Sequence, residues 1–86
     1  PNAFTPNGDN KNDFFNYVGD GTETLIEFKV FNRWGQVVYN NTNPTQGWDG
    51  RHNGRDAPSD VYVYIIRVRY IDGTEELKRG NVTLIR

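Results

Sequence analysis

The sequence predicts an all-β sandwich, and three observations support this. Clusters of Asn, Asp and Gly recur at short intervals along the 86 residues, and they interrupt strands because they tolerate positive φ or hydrogen-bond their own backbone. The segments between them are rich in Val, Ile, Tyr, Phe and Thr, which favour strands. No segment shows a sustained helical period with capping residues. The turn clusters occupy residues 7–10, 19–21, 32–35, 40–44, 47–54, 72–73 and 80–81.

Strands are predicted between these turns. In residues 24–31, the apolar Ile26, Phe28 and Val30 alternate with mostly polar side chains, which predicts one buried face and one largely polar face. The full set of predicted strands is 14–18, 24–31, 36–40, 60–70, 75–78 and 81–86.

Residues 60–70 form the clearest predicted strand. One face is apolar throughout, whereas the other begins with Val61 and Val63 and ends with Arg67 and Arg69. This pattern predicts a central strand that is buried on both faces at its start and solvated on one face at its end. The Asp-Gly pair that follows predicts a hairpin with a type I′ turn.

Composition limits the functions that the chain can carry. The net charge of −1 provides no basic field for nucleic acid or an anionic membrane surface. The absence of Cys excludes a disulfide framework, a Cys-ligated zinc site and a thiol nucleophile. Two Trp, five Tyr and five Phe can close a small core, since each large ring buries about 150–250 Å². The sequence has neither a long apolar run nor a signal peptide, and the missing Met predicts a piece of a longer protein.

Candidate catalytic residues are few, and we expect no enzymatic activity. The chain has one Ser, Ser59, and one His, His52, and it lacks a Gly-x-Ser-x-Gly motif. His52 lies in a polar loop, where an exposed, unreactive side chain is the expected role. Asp49, Asp56 and Asp60 lie close in sequence, and we expect them to serve turns and solubility rather than a catalytic pair. No small-molecule substrate is expected.

Trp34 and Trp48 leave two alternatives open. A flat aromatic face can stack on a sugar, so an exposed ring at either position would favour a carbohydrate-binding or adhesion module. Each Trp is followed closely by a Gly turn, and a ring there can fold back to close the open end of a sandwich. We expect both rings to close the core.

Residues 7–13 form a candidate cation site. Five oxygen-bearing side chains occur within these seven residues, and such ligands suit a hard cation such as Ca²⁺. Turn formation alone would also select Asn, Asp and Gly here, and the segment is not an EF-hand loop. If calcium binds, Asn7, Asp9 and Asp13 are the expected ligands. No other cofactor is predicted.

Four sequence blocks together resemble one known family. They read PNAFTPNGDNKNDF at residues 1–14, FNRWGQVVY at 31–39, GWDG at 47–50 and VTLIR at 82–86. In this order they resemble the type B C-terminal sorting domain of the type IX secretion system, also described as the gliding motility-associated C-terminal domain of Bacteroidota surface proteins. The matching motif positions are Asn7, Gly8, Asp9, Asn12, Asp13, Asn32, Arg33, Trp34, Gly35, Trp48, Asp49 and Gly50.

The resemblance implies both a fold and a role. The implied fold is an Ig-like antiparallel β-sandwich of about seven short strands, with residues 1–86 as a single sorting domain at the end of a larger secreted protein. Such a domain passes through the periplasm and directs an N-terminal passenger across the outer membrane to the cell surface or the medium. Its implied partners are translocon components and a porin-like outer-membrane helper of the PorP/SprF type. Asn10 and Asp60 stand where the family usually has Gly. Asn adopts positive φ more readily than other non-glycine residues, so we expect the turn at Asn10 to be kept.

A signal made of a folded domain must offer a surface to its partner. The last predicted strand can add to a partner's sheet if it lies at a sheet edge, so Leu84, Ile85 and Arg86 are candidate contact residues. The alternative is an ordinary strand with both neighbours filled. Arg67 and Arg69 are a second candidate contact, set against a simple solvated strand face. We expect a monomer, with edge-strand pairing left open.

Overall fold

The computed structural model describes residues 2–6, 14–15, 22–41 and 47–86, and all regular structure within them is β-strand. The prediction of an all-β, sandwich-like fold is confirmed. The strands are β1 (Asn2–Phe4), β2 (Thr24–Phe31), β3 (Val37–Asn41), β4 (Arg51–His52), β5 (Arg55–Asp56), β6 (Asp60–Arg69) and β7 (Glu75–Leu84).

The strands form a five-stranded sheet in the order β1-β7-β6-β2-β3 and a two-stranded sheet of β4 and β5. The strand β6 lies between β7 and β2, so its predicted central position is confirmed. The pair β1–β7 is parallel and the other pairs are antiparallel, so the expectation of a wholly antiparallel fold is wrong at this edge. The strands β1 and β7 come from opposite ends of the chain, and no hairpin dictates their relative direction.

The core lies between the inner face of the large sheet and the segment 47–57. This segment contributes the buried Trp48 and Ala57, and the sheet contributes buried apolar side chains from β1, β2, β3, β6 and β7. The core residues on the sheet are Phe4, Leu25, Phe28, Val30, Val38, Tyr62, Ile66, Val68, Val82 and Leu84. Among the residues that the structure describes, the second layer is therefore built mainly by this loop segment and its short hairpin.

A bulge in β2 shifts its buried face. The pairing register with β6 changes between Leu25 and Glu27, and the buried positions are Leu25, Phe28 and Val30. The predicted alternation is correct for Phe28 and Val30, whereas Ile26 is only half-buried. An extra residue at a bulge breaks the two-residue period of the strand.

The outer face of β6 is more exposed than its sequence predicts. Val61 and Val63 are exposed, whereas Tyr62 and Ile66 on the opposite face are buried. The prediction that β6 starts buried on both faces is therefore wrong, because the segment 47–57 packs on only one face of the sheet.

The strand β7 is continuous, so the predicted turn at Gly80 and Asn81 is wrong. Gly80 pairs with Tyr64 across the sheet. A Cβ at Gly80 would lie 2.6 Å from the Tyr64 hydroxyl oxygen. The glycine therefore makes room for a cross-strand ring within a strand, a role that glycine plays where side chain and backbone approach closely.

The turns also differ from the prediction in one respect. Asn53 and Gly54 both have positive φ, 56° and 77°, and they join β4 to β5 as the two-residue type I′ turn. The turn after β6 instead has positive φ at Gly73 but not at Asp72, and Gly73 N–H donates to the Tyr70 carbonyl over 2.9 Å. It is a three-residue loop of the type I plus bulge kind, so the predicted hairpin is confirmed and its predicted turn type is wrong.

Candidate functional site

Trp48 closes one end of the core. Its side chain is 0% exposed, with its ring centroid 5.4 Å from that of Phe4 and 4.9 Å from that of Tyr62. The indole Nε1–H donates to the Arg51 carbonyl over 3.0 Å. Its backbone exchanges two hydrogen bonds of 2.9 Å with Phe15, the described part of the predicted strand at 14–18. The predicted role of Trp48 in closing the core is confirmed.

Gly50 packs closely against Pro6 near the start of the sequence and against Leu84 and Arg86 near its end. Its backbone φ of 81° is a value that residues other than glycine rarely adopt. A Cβ there would lie 2.9 Å from Pro6 Cγ, 3.0 Å from Arg86 Nη2 and 3.1 Å from Leu84 Cδ1. Glycine is therefore required at this position for both its backbone conformation and its contacts.

Arg86 ties the C-terminal segment to the second layer. Its guanidinium donates from Nε to the Ala57 carbonyl over 2.7 Å and from Nη2 to the Gly50 carbonyl over 2.5 Å. Its backbone N–H donates to Ser59 Oγ over 2.9 Å. Charged donors on backbone carbonyls make stronger hydrogen bonds than neutral pairs. Three of the four sequence blocks, those containing Phe4, Gly50 and Arg86, thus meet in one place.

The predicted C-terminal contact residues have different environments. Leu84 is fully buried, Arg86 makes the internal contacts just described, and Ile85 is 48% exposed. At residues 82–84, β7 pairs with both β6 and β1, so the condition of a free sheet edge is not met there. This stretch is therefore an ordinary strand with a neighbouring strand on each side. A role of Leu84, Ile85 and Arg86 in contacting a partner stays a prediction.

Arg67 and Arg69 are both exposed on the outer face of β6, as their positions in the alternation predict. Arg69 Nη2 lies 3.0 Å from Glu75 Oε2, an exposed pair of modest energetic value. Their role as partner contacts stays a prediction.

Trp34 lies at the tip of the turn between β2 and β3 and is 74% exposed. The expectation that it closes the core is therefore wrong. It occupies the middle of a three-residue loop, in which Gly35 has a φ of 81° and donates to the Asn32 carbonyl over 3.0 Å. Asn32 Oδ1 accepts from the N–H groups of Trp34 and Gln36, each over 3.0 Å. The loop is held by its own hydrogen bonds, and the ring projects from it.

Arg33 connects this tip to β6. Its Cζ lies 5.6 Å from the centroid of the Trp34 ring, a cation–π contact. Its Nε lies 3.2 Å from Asp60 Oδ2, while Asp60 Oδ1 accepts from the Val61 N–H over 2.8 Å. The Trp34 turn, defined as residues 32–35, is thus anchored at a second point.

A cleft of about 530 Å³ lies between the Trp34 turn and the β4–β5 hairpin. We call it the Trp34 cleft. Its lining includes the buried side chains of Val38, Ala57 and Tyr62 together with the polar side chains of His52, Asn53 and Arg55.

The hydroxyl of Tyr62 within the cleft donates to the Pro58 carbonyl over 2.7 Å. Burial raises the pKa of Tyr62, and the negative charge of Asp60 raises it further. The phenol therefore stays protonated and keeps its donor role at neutral pH.

The structure brings no catalytic pair together within the described residues. Ser59 Oγ accepts from the Arg86 N–H, and in the described part of the chain no hydrogen bond joins it to His52. Asp49 Oδ1 accepts from the Arg51 N–H over 3.0 Å, which agrees with the turn role expected for Asp49, whereas Asp60 begins β6 and forms an ion pair with Arg33.

The predicted calcium ligands Asn7, Asp9 and Asp13 lie outside the described residues, as do the motif positions Gly8 and Asn12. Calcium binding there stays a prediction, and calorimetric titration checks it. The residues that are described contain no group of three or more His, Cys, Asp or Glu side chains placed to share a metal ion. Nor do they include a helix of the length and apolarity needed to cross a membrane.

Sequence reasoning missed three structural features of this end of the domain. The strand β1 is short, and its pairing with the distant β7 leaves no local periodicity to detect. The strands β4 and β5 have two residues each, although the Asn-Gly pair between them is a strong hairpin signal. The internal role of Arg86 had no local signal, because its acceptors lie 29 and 36 residues away.

Comparisons with known proteins agree with this picture. No curated protein matches the sequence. A family model described as the CHU_C type IX secretion signal domain matches residues 1–84, and this span includes the residues of all four sequence blocks up to Leu84. The match covers nearly the whole chain, and the chain belongs to the CHU_C family of type IX secretion signal domains.

Proposed function

We propose that this domain directs a passenger through the type IX secretion system by presenting a folded surface, rather than a linear tag, to the machinery. Its family gives it a type IX secretion signal role, which implies export across the outer membrane and contact with the secretion machinery. The finer proposal covers how that signal is recognised, its transit through the periplasm and the involvement of a PorP/SprF-like helper.

The observation that carries the proposal is the convergence of distant sequence blocks. Phe4, Trp48 and Leu84 are buried in one cluster, and Arg86 hydrogen-bonds to Gly50. A linear tag would need none of these contacts, because an extended peptide is read through its local side chains. Trp48 and Gly50, two of the motif positions, instead hold the tertiary structure together, which supports recognition of a folded surface.

The test fuses the 86-residue chain to the C-terminus of a reporter in a bacterium with a type IX system. Surface or medium localisation in the wild-type strain and periplasmic retention in a translocon-deficient strain are expected. Retention in the periplasm of the wild-type strain would overturn the secretion role for this chain.

A second arm separates a folded surface from a linear tag. The Trp48→Ala variant removes a core ring and destabilises the domain, and we expect the fraction of the fusion that is unfolded to be retained. Reporter levels in the periplasm, measured by immunoblot, control for degradation. Export of a fusion that circular dichroism shows to be unfolded would rule out the folded-surface proposal.

The C-terminal contact is tested with Ile85 alone. Deleting residues 84–86 would also remove the buried Leu84 and the Arg86 hydrogen bonds, so loss of export would be ambiguous. The Ile85→Glu variant changes an exposed side chain and leaves both contacts in place. If Ile85→Glu is exported as well as wild type, Ile85 is not a partner contact.

The carbohydrate-binding alternative needs an exposed tryptophan, and the exposure of Trp34 satisfies that requirement. Stacking of a sugar on Trp34 would alter the emission of an exposed indole and leave the buried Trp48 unaffected. Loss of a glycan-dependent fluorescence change in Trp34→Ala would support this alternative. No change with any glycan tested on the wild-type chain would exclude it for those glycans.

A further inference from the structure

We propose that the Trp34 turn and the Trp34 cleft form the surface that docks onto a protein of the secretion machinery, through a partner segment that carries a carboxylate beside an apolar or aromatic side chain. The inference rests on the proposed function and names the contact site within it.

The first argument is that the ring of Trp34 is exposed to solvent while the turn that carries it is held in place by hydrogen bonds and an ion pair. Its ring is 74% exposed and lies outside the hydrophobic core. The turn beneath it is held by the Asn32 side chain, and Arg33 joins it to Asp60 on β6. A large ring held in a rigid setting loses little conformational entropy on binding, and Trp and Arg are enriched among the residues that dominate interface energies.

The second argument is the cleft beside the ring. The buried side chains of Val38, Ala57 and Tyr62 line it and form an apolar surface next to the indole. Its volume of about 530 Å³ falls within the range of sites that enclose part of a ligand, about 300–1,000 Å³. One side chain of a partner can enter this space while a second packs on the Trp34 face.

The third argument is charge. Asp60 is paired with Arg33 at 3.2 Å, and Asp56 lies 3.5 Å from Arg51 and 3.8 Å from Arg86. Within the residues that the structure describes, no ion pair or hydrogen bond engages the side chain of Arg55 in the cleft lining. Asp56 and Asp60 both line the cleft with Arg55, and because the two carboxylates are paired, Arg55 is the charged lining residue left without a partner among the described residues. This favours an acidic partner over a basic one.

The same charge argument favours a protein segment over a neutral sugar. A neutral sugar stacked on Trp34 would bring no counter-charge to Arg55. A carboxylate side chain next to an apolar one would meet both features of the cleft, and Arg pairs with carboxylates in a two-bond geometry.

The chain provides a matched control at a second turn. The turn between β6 and β7 has the same backbone pattern, with Gly73 at a φ of 87° in place of Gly35. The first residue of its loop, at the position that Arg33 occupies in the Trp34 turn, is Ile71, which is 95% exposed and does not line the Trp34 cleft. Truncating Ile71 therefore removes a large exposed apolar side chain from an equivalent turn without touching the proposed surface.

The experiment measures export of the reporter fusion for wild type, Trp34→Ala, Ile71→Ala, Arg55→Glu and Arg55→Lys. Melting temperatures of the 86-residue variants are measured in parallel. We expect export of Trp34→Ala to fall roughly tenfold or more, as truncating a central interface residue does, with its melting temperature close to that of wild type. Ile71→Ala keeps wild-type export, Arg55→Lys keeps the charge and is exported better than Arg55→Glu, and Arg55→Glu loses export.

Several results would overturn the inference. If a folded Trp34→Ala fusion is exported as well as wild type, the Trp34 ring is not part of the contact. If Trp34→Ala and Ile71→Ala lose export equally, the loss is a general effect of truncating an exposed side chain. If Arg55→Glu is exported as well as wild type, the proposal that the partner segment carries a carboxylate is wrong. Glycan binding that Trp34→Ala abolishes, with export unchanged, assigns the cleft to a sugar instead.

A competition arm separates this inference from the proposed function. The free 86-residue chain, co-expressed in the periplasm, should reduce export of the wild-type fusion, and the Ile71→Ala chain should do so equally. The Trp34→Ala chain should compete less. If wild-type fusion is not exported at all, the secretion role itself fails; if it is exported and all chains compete equally, only the docking site is wrong.

Discussion

The two tryptophans lie in similar sequence settings and have opposite positions in the structure. Trp34 precedes Gly35, and Trp48 lies two residues before Gly50, and both glycines have a φ of 81°. Nevertheless Trp34 is 74% exposed and Trp48 is 0% exposed. The difference arises from what the backbone on either side of each ring pairs with.

Trp48 is placed by pairing with a distant segment, and Trp34 is placed by a local turn. The bridge between Trp48 and Phe15 fixes the ring against Phe4 and Tyr62. Residues 32–36 instead hydrogen-bond among themselves, and a side chain at the tip of such a loop projects beyond the ends of the strands. The domain thus has one end that holds the fold and one turn that is free to make contacts.

The largest expected effect is at the end that holds the fold. Trp48→Ala removes a fully buried ring that packs on Phe4 and Tyr62, and it leaves a cavity. Such changes cost about 3–5 kcal/mol, a large part of the roughly 5–15 kcal/mol typical of a domain. Urea unfolding followed by far-UV circular dichroism measures it, since the remaining Trp34 is exposed in the folded state as well.

Trp48→Phe is the matched control, because it keeps an aromatic ring and loses the indole donor to the Arg51 carbonyl. It should be less destabilising than Trp48→Ala. Equal, small effects of both variants would contradict the view that this end holds the fold.

Gly50→Ala should have the next largest effect. The added Cβ would meet Pro6 at 2.9 Å and Leu84 at 3.1 Å, and the residue must keep a φ of 81°. Backbone strain of this kind costs about 1–3 kcal/mol. Urea unfolding gives the change in the free energy of unfolding.

Gly35→Ala is the control at the Trp34 turn. Gly35 has the same φ of 81°, but an added Cβ there would have no atom of the described residues within 4 Å, so this variant reports the backbone cost alone. The excess destabilisation of Gly50→Ala over Gly35→Ala measures the contacts with the two chain ends. If the two variants are equally destabilised, those contacts do not matter.

Arg86→Ala should have a smaller effect. It removes the hydrogen bonds to the carbonyls of Gly50 and Ala57, and partial exposure of the side chain lowers their value to about 1–2 kcal/mol. Melting temperature and urea unfolding both detect a loss of this size. Arg79→Ala, an exposed arginine on β7, is the control and should match wild type; a wild-type melting temperature for Arg86→Ala would show that the Arg86 hydrogen bonds are dispensable.

Local pattern was enough for much of the fold. The strand β2 has the bounds that alternation predicts, and β3 and β6 differ from their predicted bounds by one residue at one or both ends. The errors occur where distant parts of the chain decide the outcome. The bulge near Ile26 depends on pairing with β6, and Gly80 stays in a strand because Tyr64 packs over it from the neighbouring strand.

The candidate site was less predictable than the fold. The resemblance picked out Asn32, Arg33 and Trp34 by position, but no local pattern distinguishes a ring that turns inward from one that projects outward. The cleft is formed by β4 and β5 against the Trp34 turn, and its existence depends on tertiary packing. That Arg55 has no charged partner among the described residues becomes apparent only when the partners of the neighbouring carboxylates are known.

The smallest expected effect on stability is at Trp34 itself. Trp34→Ala removes an exposed ring and its contact with Arg33 at 5.6 Å, and an exposed cation–π contact contributes about 0.5–1 kcal/mol. The free energy of unfolding should therefore fall by less than about 1 kcal/mol, as for most surface substitutions. Urea unfolding monitored by Trp48 fluorescence measures this change cleanly, because the variant retains only the buried indole. A loss as large as that of Trp48→Ala would show that the ring of Trp34 holds the fold, and the contrast between the two tryptophans would disappear.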